Sequence, residues 1–104
     1  MASSWPTLAA REFELALALD ERFPAPHYNY GNNLLKARRY REASREFSKS
    51  LRLDPTDLWA LNNRGLAYAK MGKRGKARRD FLRVLSLDPT FAAARANLEA
   101  LQRL

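Results

Sequence analysis

The four residues Leu53-Asp54-Pro55-Thr56 return unchanged as Leu87-Asp88-Pro89-Thr90, 34 positions later. On that offset Asn29, Gly31, Lys36, Ala43, Arg45, Phe47 and Leu51 also recur as Asn63, Gly65, Lys70, Ala77, Arg79, Phe81 and Leu85, making 11 identical positions in one 34-residue period. An incomplete copy precedes these: Ala9, Arg11, Glu12, Phe13, Leu17, Leu19 and Asp20 each stand 34 residues before an identical residue. From Ala92 to Leu104 only Ala94 and Asn97 keep step, with Ala60 and Asn63. A unit of this size cannot close a core of its own. Neighbouring units must bury each other's faces, which confines the chain to a stacked array.

Inside each period the signals are helical. Tyr40, Ala43, Phe47 and Leu51, and then Ala77, Phe81, Val84 and Leu85, recur at three and four, the spacing of one helical face. Pro55 and Pro89 disfavour a helical residue before them and cannot donate to the preceding turn, so helices are expected over 40–53 and 74–87. Before each lies another helix. The first should run over 26–37 with Tyr30, Leu34 and Ala37 inward, and the second should be capped by Thr56, with Leu58, Leu61, Gly65 and Tyr68 packing. Arg38-Arg39 and Gly72-Lys73 make the turns. Gly31 and Gly65 are read as close approaches of a neighbouring helix, because glycine inside a helix costs about 0.5–1 kcal/mol against alanine. Thr90 is expected to cap a last helix over 91–104, with Leu98 and Leu101 inward and Arg95, Glu99, Gln102 and Arg103 in water. Near the N-terminus Leu8, Ala9, Phe13, Ala16 and Leu17 mark one more helix, by register the second of a pair.

The residues that recur place this pattern in a known family. Gly65-Leu66-Ala67-Tyr68, Ala77 with Phe81 four later, and Pro89 in one copy, and Gly31, Leu34, Ala43, Phe47 and Pro55 in the other, make the chain resemble the tetratricopeptide repeat (TPR) family over roughly residues 7 to 104. The resemblance implies an all-α, right-handed solenoid of antiparallel helix pairs, about six helices in all. Its parts are an N-terminal helix in 1–23, repeats at 24–57 and 58–91, and a capping helix at 92–104. Departures from the family are local: His27 and Leu61 stand where it favours Trp, and Tyr30 and Arg64 where it favours Leu, so packing there should be unusual.

Charge and composition narrow the function. The hydrophobic share of 46% with 29% charged residues fits an ordered helical protein. Without cysteine there is no disulfide, thiolate catalysis or Cys-based metal site, which suits a reducing compartment. No uncharged stretch approaches the ~18 apolar residues of a membrane span, and the uncharged start Met1-Ala2-Ser3-Ser4 does not read as a signal peptide. The expected location is the cytoplasm. His27, the only histidine, follows Pro26 at a packing position with no Ser or carboxylate tied to it by motif, and there is neither a glycine-rich phosphate loop nor metal-ligand spacing. No enzyme activity, metal or cofactor is expected.

The resemblance implies a concave groove, lined by the first helix of each pair, that holds a peptide or helix of a partner protein. The faces left over after packing assign to it Tyr28, Asn29, Asn32 and Lys36, then Trp59, Asn62, Asn63, Leu66 and Lys70, then Asn97. Asn29, Asn63 and Asn97 form a ladder at the repeat period, and an amide can pair with a peptide unit whatever its side chain, or else bond within the scaffold. Tyr28 and Trp59 are the aromatic anchors, and Lys36 and Lys70 would attract acidic peptides. Some TPR domains clamp a terminal carboxylate with five residues. Asn32 and Asn63 match two of them, whereas Tyr28 replaces the first Lys, and Ala93 with Asn97 the last pair.

Two other readings stand beside this one. The net charge of +8 concentrates in 24–104, and Lys73, Arg74, Lys76, Arg78 and Arg79 form a basic rim for nucleic acid or an acidic protein surface. Trp5, Leu8 and Leu15 on the unpaired first helix offer a homodimer contact through the terminal helices.

Overall fold

A computed structural model describes residues 24–103 and places five helices in them: α1 (Pro24–Lys36), α2 (Tyr40–Leu53), α3 (Leu58–Lys70), α4 (Arg74–Leu87) and α5 (Ala92–Gln102). There is no strand among the described residues. The bounds of α2 and α4 are those expected from the repeat. The N-terminal helix and the dimer contact at Trp5, Leu8 and Leu15 lie outside the described residues.

Each helix pair closes the same way. Arg38 and Gly72, one period apart, both take positive φ, at 63° and 76°. The next residue then donates back over the helix end, Arg39 N–H to the Leu34 carbonyl at 2.9 Å and Lys73 N–H to that of Tyr68 at 2.8 Å. This bond satisfies a last-turn carbonyl and requires a left-handed residue just past the helix. Glycine takes that conformation freely and arginine does not. Ala37 therefore falls in the turn, exposed, rather than in the packing face where the pattern put it. Arg38→Gly is expected to stabilise the chain by about 0.5–1 kcal/mol, the relieved strain less the entropy of an added glycine, and Gly72→Ala to do the reverse. Urea midpoints that move together in one direction would count against this account.

The helix starts correct the expected caps. Asp57, not Thr56, caps α3, accepting from the Ala60 N–H at 3.1 Å. Phe91 stands at the cap of α5 and makes no side-chain bond. Thr56 and Thr90 instead serve the turns: each hydroxyl and each N–H donates to the carboxylate two residues earlier, Asp54 or Asp88. The Thr90 hydroxyl, then its N–H, hold the Asp88 carboxyl below its ordinary pKa. An Asp before Pro competes for the turn through its own side chain, which is why the threonine is not free to cap.

Packing follows the period. α1 lies on α2 and α3 on α4, α2 and α4 pack onto the next helix in the chain, and α1, α3 and α5 touch one another in a row. Phe47 and Phe81 are fully buried, each inserted against the glycine of its own pair. A Cβ on Gly31 would sit 2.7 Å from Phe47 Cε1, and one on Gly65 would sit 2.6 Å from Phe81 Cε1, so neither site admits even a methyl group. Around these rings two clusters form. Leu34, Ala43 and Ala67 surround Phe47, while Leu51, Leu61, Ala77, Val84, Ala94 and Leu101 surround Phe81. Tyr28 packs against both.

Candidate functional site

The ten residues expected to line a groove all belong to the row α1, α3, α5, through which runs a chain of amides. Asn97 Nδ2 donates to Asn62 Oδ1 at 3.0 Å, Asn62 Nδ2 to Asn63 Oδ1 at 3.3 Å, and Asn63 Nδ2 to Asn32 Oδ1 at 2.9 Å. Asn63 also reaches the Tyr28 hydroxyl at 3.4 Å. The bonds join residues 31 and 35 apart rather than 34 apart. They link one helix to the next across the row, and Asn62 at their centre is buried. The ladder read from the period is thus only half of the network. Asn63 and Asn97 belong to it as donors, Asn32 and Asn62 supply the acceptors, and Asn29 stays exposed with no side-chain bond among the described residues.

The remaining residues spread along the row. Trp59, 53% exposed, sits at the first turn of α3 edge-on to Phe91, with ring centroids 4.8 Å apart. Lys70 ends the same helix, about 16 Å away at 1.5 Å per residue. Lys36 ends α1, which runs parallel to α3, so both ammonium groups stand at one edge, exposed and without an ion pair among the described residues. Leu66 is half-buried against the core. The face therefore has an aromatic end, an amide centre and a cationic end.

Within the helix pairs α1–α2 and α3–α4, two of the departures from the family, His27 and Arg64, meet buried carboxylates. Glu46 and Asp80 occupy the same place in the two repeats, and both are buried. Glu46 is met by His27 Nδ1 at 3.1 Å and by Lys49 at 3.2 Å. Asp80 takes both oxygens to Arg64, Nε at 2.8 Å and Nη2 at 2.7 Å, and Arg64 Nη1 also donates to the Ser48 hydroxyl. The Asp80 hydrogen bonds, working against burial, hold the Arg64 pKa above its ordinary value. His27 is thus a partner of Glu46 inside the scaffold.

The basic run does not form one surface. Successive residues on a helix are turned about 100°, so Lys73 and Lys76 face α2, Arg74 and Arg78 lie beside Leu101 and Gln102 of α5, and Arg79 stands near Pro55 and Arg83. All five are exposed. Lys73 and Lys76 line one cleft with Arg41, Arg45 and Arg52 of α2, cations remote from them in sequence, while the rest of the run does not.

Comparison with known proteins agrees with this architecture. A family model described as tetratricopeptide repeat matches residues 58–91, and one described as TPR repeat matches 31–72. No curated protein matches the sequence significantly. Among solved structures, the second TPR domain of human RPAP3, determined in complex with the HSP70 peptide SGPTIEEVD, is 28% identical. That match has a TM-score of 0.83 and covers 86% of this chain and 75% of that one. The Arabidopsis OM64 TPR domain superposes with a TM-score of 0.85 at 19% identity, covering 98% of this chain and 88% of that one. MamA gives 0.86 at 20% identity, over 99% of this chain and 60% of that one.

Proposed function

Because the chain belongs to the tetratricopeptide repeat family, we propose that it is a protein-interaction module whose α1–α3–α5 face binds an extended peptide or a helix of a partner protein. The observation that carries this reading is the likeness to a TPR domain solved with a bound chaperone peptide. That peptide contains two glutamates and ends in aspartate. Here the exposed Lys36 and Lys70 would meet acidic side chains, while Trp59 anchors an apolar one. Asn32 and Asn63 are already joined at 2.9 Å, and no lysine or arginine stands at positions 28, 93 or 97, so carboxylates are held loosely rather than clamped. The protein acts by binding, without catalysis.

Selection from a displayed peptide library tests this. Enriched peptides should carry acidic residues, and their affinity should fall by about tenfold or more in Trp59→Ala or Asn29→Ala. Both side chains are exposed, so the fold is spared. Peptides that bind these variants as tightly as the native chain would place the site elsewhere.

A further inference from the structure

The helices α2 and α4 do not pack on each other, because α3 lies between them, and their outer faces border an open furrow. We propose that this furrow is a second binding site, separate from the α1–α3–α5 face, and that it takes an extended acidic peptide segment. Arg41, Arg45 and Arg52 line one wall, and Lys73 and Lys76 the other, around a cleft of about 540 Å³. The cleft continues past Ser48 and Arg52 to Arg83. Among the described residues that line it the only carboxylate is Asp80, whose side chain is 5% exposed and holds Arg64 through both oxygens. Arg41, Arg45, Arg52 and Lys73 make no ion pair among the described residues. Cations facing each other across a concave surface repel and focus a positive field, and a polyanion laid between them relieves that repulsion.

The shape of the furrow selects the kind of polyanion. Single-stranded nucleic acid is held by stacking its bases on free aromatic rings as well as by phosphate contacts. Among the described residues the furrow contains one ring, Tyr68, and two cations already cover it, the Arg64 guanidinium at 5.7 Å and the Lys76 ammonium at 5.5 Å. A peptide needs no such platform. In an extended segment, side chains on one face recur every ~6.6 Å. Arg41 and Arg45, four residues apart on a helix, are offset by ~6 Å. A 14-residue helix such as α2 offers about 21 Å of wall, room for some six extended residues. Acidic side chains at alternate positions then share one face of the segment, turned into the furrow between its two walls, and the arginine forks take carboxylates through two hydrogen bonds.

The test is anisotropy of a fluorescein-labelled ten-residue peptide alternating glutamate and serine, titrated with the full 104-residue chain. Saturable binding that weakens with salt is expected. It should be reduced about tenfold or more by Arg45→Glu/Arg52→Glu and, independently, by Lys73→Glu/Lys76→Glu. Arg45→Gln/Arg52→Gln replaces the first pair if charge reversal disturbs the helices by circular dichroism. Trp59→Ala with Lys36→Ala and Lys70→Ala should leave this affinity unchanged, which separates the furrow from the other face. Any of four results overturns the proposal: no binding at low salt, equal binding of the glutamine–serine peptide, native affinity in the wall variants, or loss of binding only in the Trp59 set. Displacement by oligouridylate at lower concentration than by unlabelled peptide would make the furrow a nucleic-acid surface instead.

Discussion

Phe81→Ala is expected to lower the free energy of unfolding by about 4 kcal/mol, the range found when a fully buried phenyl ring is removed. Gly65→Ala should cost about 2 kcal/mol for the opposite reason, since its methyl group would stand 2.6 Å from Phe81 Cε1 in a site with no slack. The two changes share one space, so they are not independent. With the ring gone, the methyl group enters the cavity instead of clashing, and Gly65→Ala/Phe81→Ala should be no less stable than Phe81→Ala alone. Urea denaturation of the four proteins measures this, and a double variant near the sum of the singles would falsify the knob-and-hole account. A domain of this length is held by about 5–15 kcal/mol, so the Phe81 variant should lose a large share of its stability. In a stacked array the loss is local, and hydrogen exchange should speed up in α3 to α5 before α1 and α2.

Arg64→Leu, the residue type the family favours there, is expected to destabilise the chain by about 3 kcal/mol although it adds apolar contact. The cause is what it leaves behind. Asp80, with its side chain only 5% exposed, would lose both guanidinium bonds and stand as a buried, unpaired carboxylate. Because the Arg64 side chain is 22% exposed, water takes up part of the loss, which keeps the figure below the upper end for a sealed pair. Arg64→Leu/Asp80→Leu should recover most of the stability, since replacing both members by packed apolar groups removes the desolvation problem with the bond. A thermodynamic cycle over these four proteins gives the coupling directly. A single Arg64→Leu variant as stable as the native chain would show that Asp80 reaches solvent or another partner.

The bounds of α2 and α4 were legible because proline and the turn residues act locally, while α1 and α5 begin and end a residue or two away from the expected 26–37 and 91–104. Pro55 and Pro89 stop α2 and α4 through their own ring geometry, whatever packs nearby. The caps were misread where two local groups compete. Thr56 and Asp57 both favour a helix start, and the choice fell to Asp57 once Asp54 had drawn the Thr56 hydroxyl into the turn. The amide network was half visible for a related reason. Periodicity names equivalent positions, here Asn63 and Asn97, but hydrogen bonds join neighbours, and the neighbours across the row are Asn32 and Asn62. His27 and Arg64 could be marked as unusual, yet their partners Glu46 and Asp80 lie 19 and 16 residues away on another helix.

By itself the sequence determined the repeat, the helical pairing and a close helix approach at Gly31 and Gly65, because each depends on spacing along the chain and on the steric needs of single residues; that Phe47 and Phe81 are what approaches was shown by the structure. The basic surface was decided only by the tertiary structure. A run of cations in α4 looks continuous when written out, but helical rotation sends its members to three sides. The furrow that does gather charge is made by two helices that never touch, held apart by a third. Electrostatic fields add through space, and Arg45 and Lys76, 31 residues apart in the chain, line one cleft, while Arg78, two residues from Lys76, lines another.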